Sequence, residues 1–351
     1  MKIPILLPNI FNHPFTYGSS SLNLKVGDYV EVPFGKSKKI GIVWDEFEKS
    51  KNKQYLLKNV VRKLKIPSLN LKTIHFLKWF SNYNMVPIGM ALKLHLLSNE
   101  AIEIENNNHL ERYYYTKKTS KIRLSKEQLN SVKEVTQNHN KFRVHVLQGT
   151  TGSGKTIVYF NSLLKKLEKG FQGLILLPEI GLTGEFQKKF KEFFGFEAAI
   201  WHSSITKKNK KIIWNGIATG KIKVLIGARS SLFLPFLNLG IIVVDEEHDQ
   251  SYKQDEGVIY NARDMAISRA SFENIPVNLV TAVPSLETFE NIKKGKYFLS
   301  RLYKRYLDAK LPNHEVIDLN KNNLENNSWI SEVIIKKVKY HLSKNDQVLF
   351  F

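Results

Sequence analysis

VHVLQGTTGSGKT, residues 144–156, decides the fold. Its second part, GTTGSGKT at 149–156, fills every fixed position of the phosphate-binding pattern GxxxxGK(S/T). Each residue type has a task set by the chemistry of a triphosphate. Gly149, Gly152 and Gly154 carry no Cβ, so the backbone can take left-handed angles and turn N–H groups onto phosphate oxygens, with Thr150, Thr151 and Ser153 completing the loop. Lys155 supplies a mobile charge for the β and γ phosphates, and the Thr156 hydroxyl is placed to ligate Mg²⁺. Phe142, Val144 and Val146 alternate as in a strand, and residues 157–169 read as a helix stopped by Gly170. That helix aims its positive N-terminus at the phosphates. The alternative is a chance glycine-rich turn, and its placement between strand and helix weighs against it.

Downstream, LGIIVV at 239–244 is too short to span a membrane and too apolar for a surface strand, which suits a buried parallel strand. It ends in Asp245, Glu246, Glu247 and His248, where open α/β sheets place their ligands. Asp245 is the natural Mg²⁺ partner across from Thr156, and Glu246 can orient and deprotonate an attacking water. Without a phosphate loop, such acids read as solvated loop charges; with one, they complete an ATP and Mg²⁺ site.

Composition bounds the rest. The 351 residues, 42% hydrophobic, leave room for two or three domains with a sizeable core. No apolar run approaches the roughly 18 residues of a membrane helix. The opening MKIPILLPNIF lacks the features of a signal peptide, so cytoplasmic residence is expected. With no cysteine there are no disulfides or thiolate sites, and the histidines are scattered without ligand spacing, so no metal other than Mg²⁺ is expected. A net charge of +21 points to a polyanion, although abundant Lys, Asn, Ile and Phe also follow from A/T-rich codon bias. Residues 36–72 hold eleven Lys/Arg against three acids, a local basic face whose rival reading is a solvated lysine surface.

Residues 1–98 read as a small β-rich domain plus a helix: β-like runs at 3–7, 29–32 and 40–43, then helical periodicity over 68–82. Residues 99–121 are polar and read as a linker. Over 122–310 strand candidates at 142–148, 173–177, 196–200, 222–226, 239–244 and 277–281 alternate with helical patterns. This predicts an α/β fold, a doubly wound parallel sheet of the RecA type. Residues 311–351 are left as the start of a further, incomplete lobe.

Several other strings stand in order along the chain: PEIGLT at 178–183, WHS at 201–203, GARSSLFLPF at 227–236, DEEHDQSYKQDEG at 245–257, YNARDMAISRA at 260–270 and AVPSLETF at 282–289. In order and spacing they closely resemble the PriA family of primosomal proteins, superfamily 2 DNA helicases. FTY at 15–17, VPFG at 32–35 and GIV at 41–43 are similar to the family's domain that binds the 3′ end of a nascent strand, so the resemblance covers nearly the whole chain.

The resemblance implies further roles. Gln128 would read the adenine edge, with a solvent-facing glutamine as the alternative. Thr183 of PEIGLT and Arg229 of GARS would hold the phosphates of single-stranded DNA. His248, with Thr281, would couple Glu246 to the DNA side, the rival being a loop-capping histidine. Tyr252 and Tyr260 would stack on bases, with core packing as the rival. Phe15, Tyr17, Gly35 and Lys58 match the 3′-terminal nucleotide pocket, whereas in isolation Phe15 and Tyr17 read as alternate faces of a strand.

The chain also departs from the family. Thr281, Ala282 and Val283 stand where the family and its relatives usually carry Ser or Thr, Ala, Thr, so one hydroxyl is a methyl here, and Thr16 stands where some members have an aspartate. There are too few residues before Gln128 for the family's winged helix. Zinc is expected of the full-length family, but its cysteines are absent. NDQVLFF at 345–351 is similar to the first strand of a second helicase lobe, which leads us to expect a truncated or split product. The arginine finger of the later motifs contributes a factor of roughly 10³ or more, so a lone first lobe should hydrolyse ATP slowly.

The expected function is an ATP-dependent 3′–5′ DNA helicase of replication restart, nucleoid-associated, that recognises stalled or abandoned forks, remodels them and promotes primosome assembly and helicase reloading. Forked and single-stranded DNA, primosome proteins and single-strand-binding protein are the expected partners. A catalytically incomplete fork-binding remnant and another superfamily 2 translocase are the alternatives.

Overall fold

Apolar residues on both faces of short strands build the front of the chain. In the computed structural model, which describes residues 1–19, 22–47, 57–96, 110–116, 122–137, 140–178, 184–305, 313–319 and 329–350, five strands form an antiparallel sheet. They are β1 (Lys2–Leu6), β2 (Phe15–Gly18), β3 (Tyr29–Phe34), β4 (Ser37–Val43) and β5 (Arg62–Lys63), ordered β2-β1-β4-β3-β5. Ile3, Ile5, Tyr17, Val30, Val32 and Val43 enclose a small core on one face. Leu6, Tyr29, Ile40 and Ile42 join the main core. Phe15 and Tyr17, expected on alternate faces, pack on the same small core, because residues two apart in a strand point the same way.

Helix α1 (Leu71–Tyr83) follows, capped by Asn70, whose side chain accepts from the Thr73 amide at 2.7 Å. The short α2 (Ile88–His95), unmarked by any cap signal in the sequence, packs against α1. After residues 97–109, outside the described set, the end of the expected linker is folded: Glu111–Tyr113 make a 3-10 turn, and Leu110 and Tyr113 are buried. Two apolar side chains in an otherwise polar run are enough to dock it.

The remaining elements of this unit are α3 (Lys126–Thr136), β6 (Arg143–Gly149), α4 (Lys155–Leu167), β7 (Gln172–Leu176), α5 (Gly184–Phe194), β8 (Ala199–Trp201), α6 (Lys207–Ala218), β9 (Val224–Gly227), β10 (Leu239–Asp245), β11 (Lys253–Gln254), β12 (Tyr260–Asn261), α7 (Ala262–Glu273), β13 (Pro276–Thr281), α8 (Leu286–Lys293) and β14 (Phe298–Leu302). Seven strands form a parallel sheet, β14-β6-β13-β10-β7-β9-β8, with all six expected strands present. This is the RecA-like fold. Within β10, Ile242 and Val244 face one core while Ile241 and Val243 face the other, which is why the run is apolar without a break. The seventh strand, β14, was not expected, since Ser300 and Arg301 interrupt its apolar pattern. Ser300 is nevertheless buried, bonded to the His145 ring at 2.8 Å and donating to Glu134.

The front sheet and the parallel-sheet lobe share one core. At its centre is His95, fully buried, with Nδ1 2.8 Å from the Phe233 carbonyl and Nε2 2.8 Å from the Tyr29 hydroxyl. A carbonyl only accepts, so Nδ1 carries the proton and Nε2 accepts from Tyr29. Trp214 Nε1 donates to the His95 carbonyl at 2.9 Å. Close by, the buried Arg269 of α7 donates to the carbonyls of Leu232 and of Leu234, the latter at 3.0 Å. Glu273, one turn on, accepts from Thr73 of α1 at 3.0 Å. The GARSSLFLPF segment is thus held from beneath by a histidine of the front and an arginine of the lobe.

Residues Ala309–Phe351 form a separate unit containing α9 (Glu332–Ser343), capped by Ser331. Residues 346–350, expected as a strand, have no ladder partner among the described residues, and a strand exists only through pairing.

Burial pushes the imidazoles of His95 and His145 down to about 4. Below pH 6.5 the unfolded chain takes up protons that the folded chain refuses, so stability should fall as pH drops from about 6.5 to about 4. The loss is up to roughly 3 kcal/mol per imidazole. Denaturant midpoints across this window check it. His145→Gln should shallow the slope, and an unchanged slope would contradict the assignment.

Candidate nucleotide site and nucleic-acid interface

Strand β6 runs directly into the glycine loop, and α4 begins at Lys155, so the helix N-terminus faces the loop. Gly152 and Gly154 have φ of +82° and +84°, the left-handed region. A Cβ on Gly154 would also stand 2.3 Å from Gln128 Nε2, so only glycine fits. Lys155 Nζ donates to the Gly149 carbonyl at 2.8 Å, folded across the loop. Ser153 is buried and its Oγ has no protein partner, a polar atom left for a ligand inside the loop, while Thr150 and Thr151 are exposed.

Gln128 is buried beside this loop, which removes the solvent-facing alternative. It forms a capping box with Ser125: the Gln128 amide donates to Ser125 Oγ at 3.2 Å, and Gln128 Oε1 accepts from Ser125 N at 3.0 Å. Its Nε2 donates to the Ser153 carbonyl at 3.0 Å, which fixes the amide against the loop.

Asp245, at the end of β10, is nearly buried; Oδ2 accepts from Tyr159 at 2.8 Å and Oδ1 from the Glu246 amide at 3.0 Å. Burial, above all, pushes its carboxyl up to about 6, with Glu246 adding to it and the hydrogen bonds and Lys155 opposing. The Tyr159 hydroxyl thus engages one oxygen of the carboxylate that, with the Thr156 hydroxyl, would hold Mg²⁺. These hard oxygen donors fit that ion. Tyr159 itself was missed; three residues after Thr156, it reads as one more apolar-face position of α4.

Glu246 has φ of +48°, and its half-exposed side chain lies 3.7 Å from His248 Nδ1. That nitrogen is 2.8 Å from Thr281 Oγ1, which donates to the Val283 carbonyl at 2.7 Å and so accepts from His248. Strand β13, lying between β6 and β10, thereby delivers Thr281 between the loop and the acids. Glu247, assigned no role from the sequence, points inward and is fully buried.

The expected nucleic-acid contacts divide. Arg229 is half-exposed and donates to the Lys253 carbonyl at 2.6 Å, tying GARS to the β11–β12 hairpin. Tyr252 and Tyr260 do not present ring faces: both are buried, and core packing is the reading that holds. The Tyr252 hydroxyl sits between the carbonyls of Asp245 at 2.5 Å and Leu176 at 3.0 Å. Tyr260 packs edge-to-face on Phe80 and Phe233. Thr183 lies outside the described residues.

At the front, Phe15 joins a surface cluster of rings, with centroids of Phe11, His13 and Phe34 at 5.5, 5.0 and 5.3 Å. Lys39 Nζ stands 4.7 Å over Phe34. The Tyr17 hydroxyl donates to the Pro33 carbonyl at 3.0 Å, and the Lys58 carbonyl accepts from Gly18 at 2.9 Å, so strand β2 draws together the segments carrying Gly35 and Lys58. Gly35, at φ of +60°, has open space where a Cβ would be.

Residues 125–292 match the DEAD/DEAH box helicase family model, and residues 4–96 match the model of the 3′DNA-binding domain (3′BD) of PriA. The chain is 42% identical over 354 aligned residues to the replication restart protein PriA of Rickettsia conorii, covering 99% of this chain and 53% of that protein. With its Rickettsia felis counterpart the identity is 43% over 356, at the same coverage, and with that of Haemophilus influenzae 42% over 213, covering 61% of this chain and 29% of the relative. The chain therefore spans about half the length of the Rickettsia proteins it matches. Sequence identity across nearly all of its residues, both domain matches and the RecA-like lobe agree: the chain belongs to the PriA family of replication restart proteins.

Proposed function

We propose that the chain is an ATP-dependent DNA helicase of replication restart, translocating 3′ to 5′ on forked or single-stranded DNA. The observation that carries this is the meeting of Lys155, Thr156, Asp245 and Glu246 at the ends of β6 and β10, with Thr281 between them. Lys155 and the loop amides bind the phosphates. Thr156 and Asp245 hold Mg²⁺, which when bound neutralises phosphate charge. Glu246 takes the proton of the attacking water, and His248 and Thr281 carry the state of the site to the segment after β13. The ring cluster at Phe15, with Gly35 and Lys58, holds a 3′-terminal nucleotide, and Arg229 contacts a phosphate. Primosome proteins and single-strand-binding protein are the proposed protein partners.

ATP turnover measured with and without a fork bearing a 3′ end tests the motor. DNA-stimulated turnover should fall roughly a hundredfold or more in Lys155→Ala. Tight fork binding with no turnover in the wild type would favour a fork-binding module instead. Phe15→Ala should weaken binding of a fork with a free 3′ end by about 1–3 kcal/mol, the worth of one stacked base. Anisotropy titrations against a 3′-phosphorylated fork check this, and equal losses on both would remove Phe15 from the end pocket.

A further inference from the structure

The acidic motif contains a carboxylate that neither phosphate nor DNA can reach. Glu247 lies between the half-exposed Glu246 and His248, yet its side chain is 0% exposed. Its Oε1 accepts from the Ser285 amide at 2.8 Å; its Oε2 accepts from the hydroxyls of Ser285 and Thr288, each at 3.0 Å, and faces Arg263 Nη1 at 3.4 Å. Arg263 also donates to Ser285 Oγ at 2.7 Å. Ser285 caps α8, Thr288 is in its first turn and Arg263 begins α7, so one buried carboxylate gathers two helices beneath the turn.

The turn needs such an anchor. Glu246 holds a left-handed backbone that an L side chain seldom adopts, and such conformations persist only where the surroundings over-determine them. On one side, the Asp245 carbonyl is held by the Tyr252 hydroxyl. On the other, the Glu247 amide donates to the Val280 carbonyl at 3.0 Å, and the Glu247 side chain is fixed as above. The same bonds bear on the missing hydroxyl at Val283. That side chain is 69% exposed, whereas Ser285, two residues on, is bonded to Glu247 twice.

We infer that Glu247 is a positioning residue: through Ser285, Thr288 and Arg263 it holds the Asp245–Glu246 turn in its working pose. Alongside the His248–Thr281 link, Glu247 joins the acids to the segment after β13 without a hydroxyl at position 283. The inference rests on the nucleotide-site reading above.

The test titrates a fluorescent ADP analogue into the full chain in EDTA and in Mg²⁺. Wild type should bind more tightly with Mg²⁺. Glu247→Ala should keep the EDTA affinity and lose roughly 10-fold to 100-fold of the Mg²⁺-dependent gain, the usual cost of removing an outer-shell partner. Glu247→Gln, which still accepts from the Ser285 amide, should recover part of it, and Val283→Thr should change nothing. If Glu247→Ala does not fold, Ser285→Ala decides by the same readout, because it leaves the Arg263 pair intact. A full Mg²⁺-dependent gain in whichever variant decides overturns the inference while leaving the nucleotide site standing. A wild type that binds no nucleotide, or binds it unchanged by Lys155→Ala, overturns the nucleotide-site reading and the inference with it.

Discussion

Parallel pairing of β6, β13 and β10 places three chemically unlike strand ends on one edge of the sheet. Strands that run together must finish together, so the glycine loop, the acidic motif and Thr281 converge although more than a hundred residues separate the loop from Thr281. Each later feature of the site is a consequence. The loop leads a helix because parallel strands need a crossover, and Asp245 is buried because the strand it ends is covered on both faces. The raised pKa of Asp245 is the electrostatic result of this placement.

Much of this was legible because the residues involved have few other uses. Glycines at fixed spacing before Lys155, and acids after six apolar residues, admit little besides a nucleotide site once found together. The large strands followed from unbroken apolar runs. What escaped had mixed chemistry. Strand β14 carries a serine and an arginine, and the burial of Ser300 makes sense only beside His145 and Glu134, distant in sequence. Helix α2 spans eight residues and has no side-chain cap.

The same limit governs single residues. Tyr252 and Tyr260 looked like stacking rings because aromatic residues in a polar loop are ambiguous until their surroundings are known; here Phe80, Phe233 and two backbone carbonyls surround them. Tyr159 and Glu247 carried the opposite ambiguity. Nothing in their spacing marks a role for either, and only the fold shows them touching Asp245 and Ser285. Spacing identifies residues that bind a shared ligand better than residues that bind one another.

His95 leaves neither ring nitrogen free, and its own carbonyl is taken by Trp214. One residue therefore fastens the front sheet, the GARSSLFLPF segment and α6 to one another within a shared core. A load placed on the ring cluster at Phe15 would therefore pass through His95 to the segment that carries Arg229.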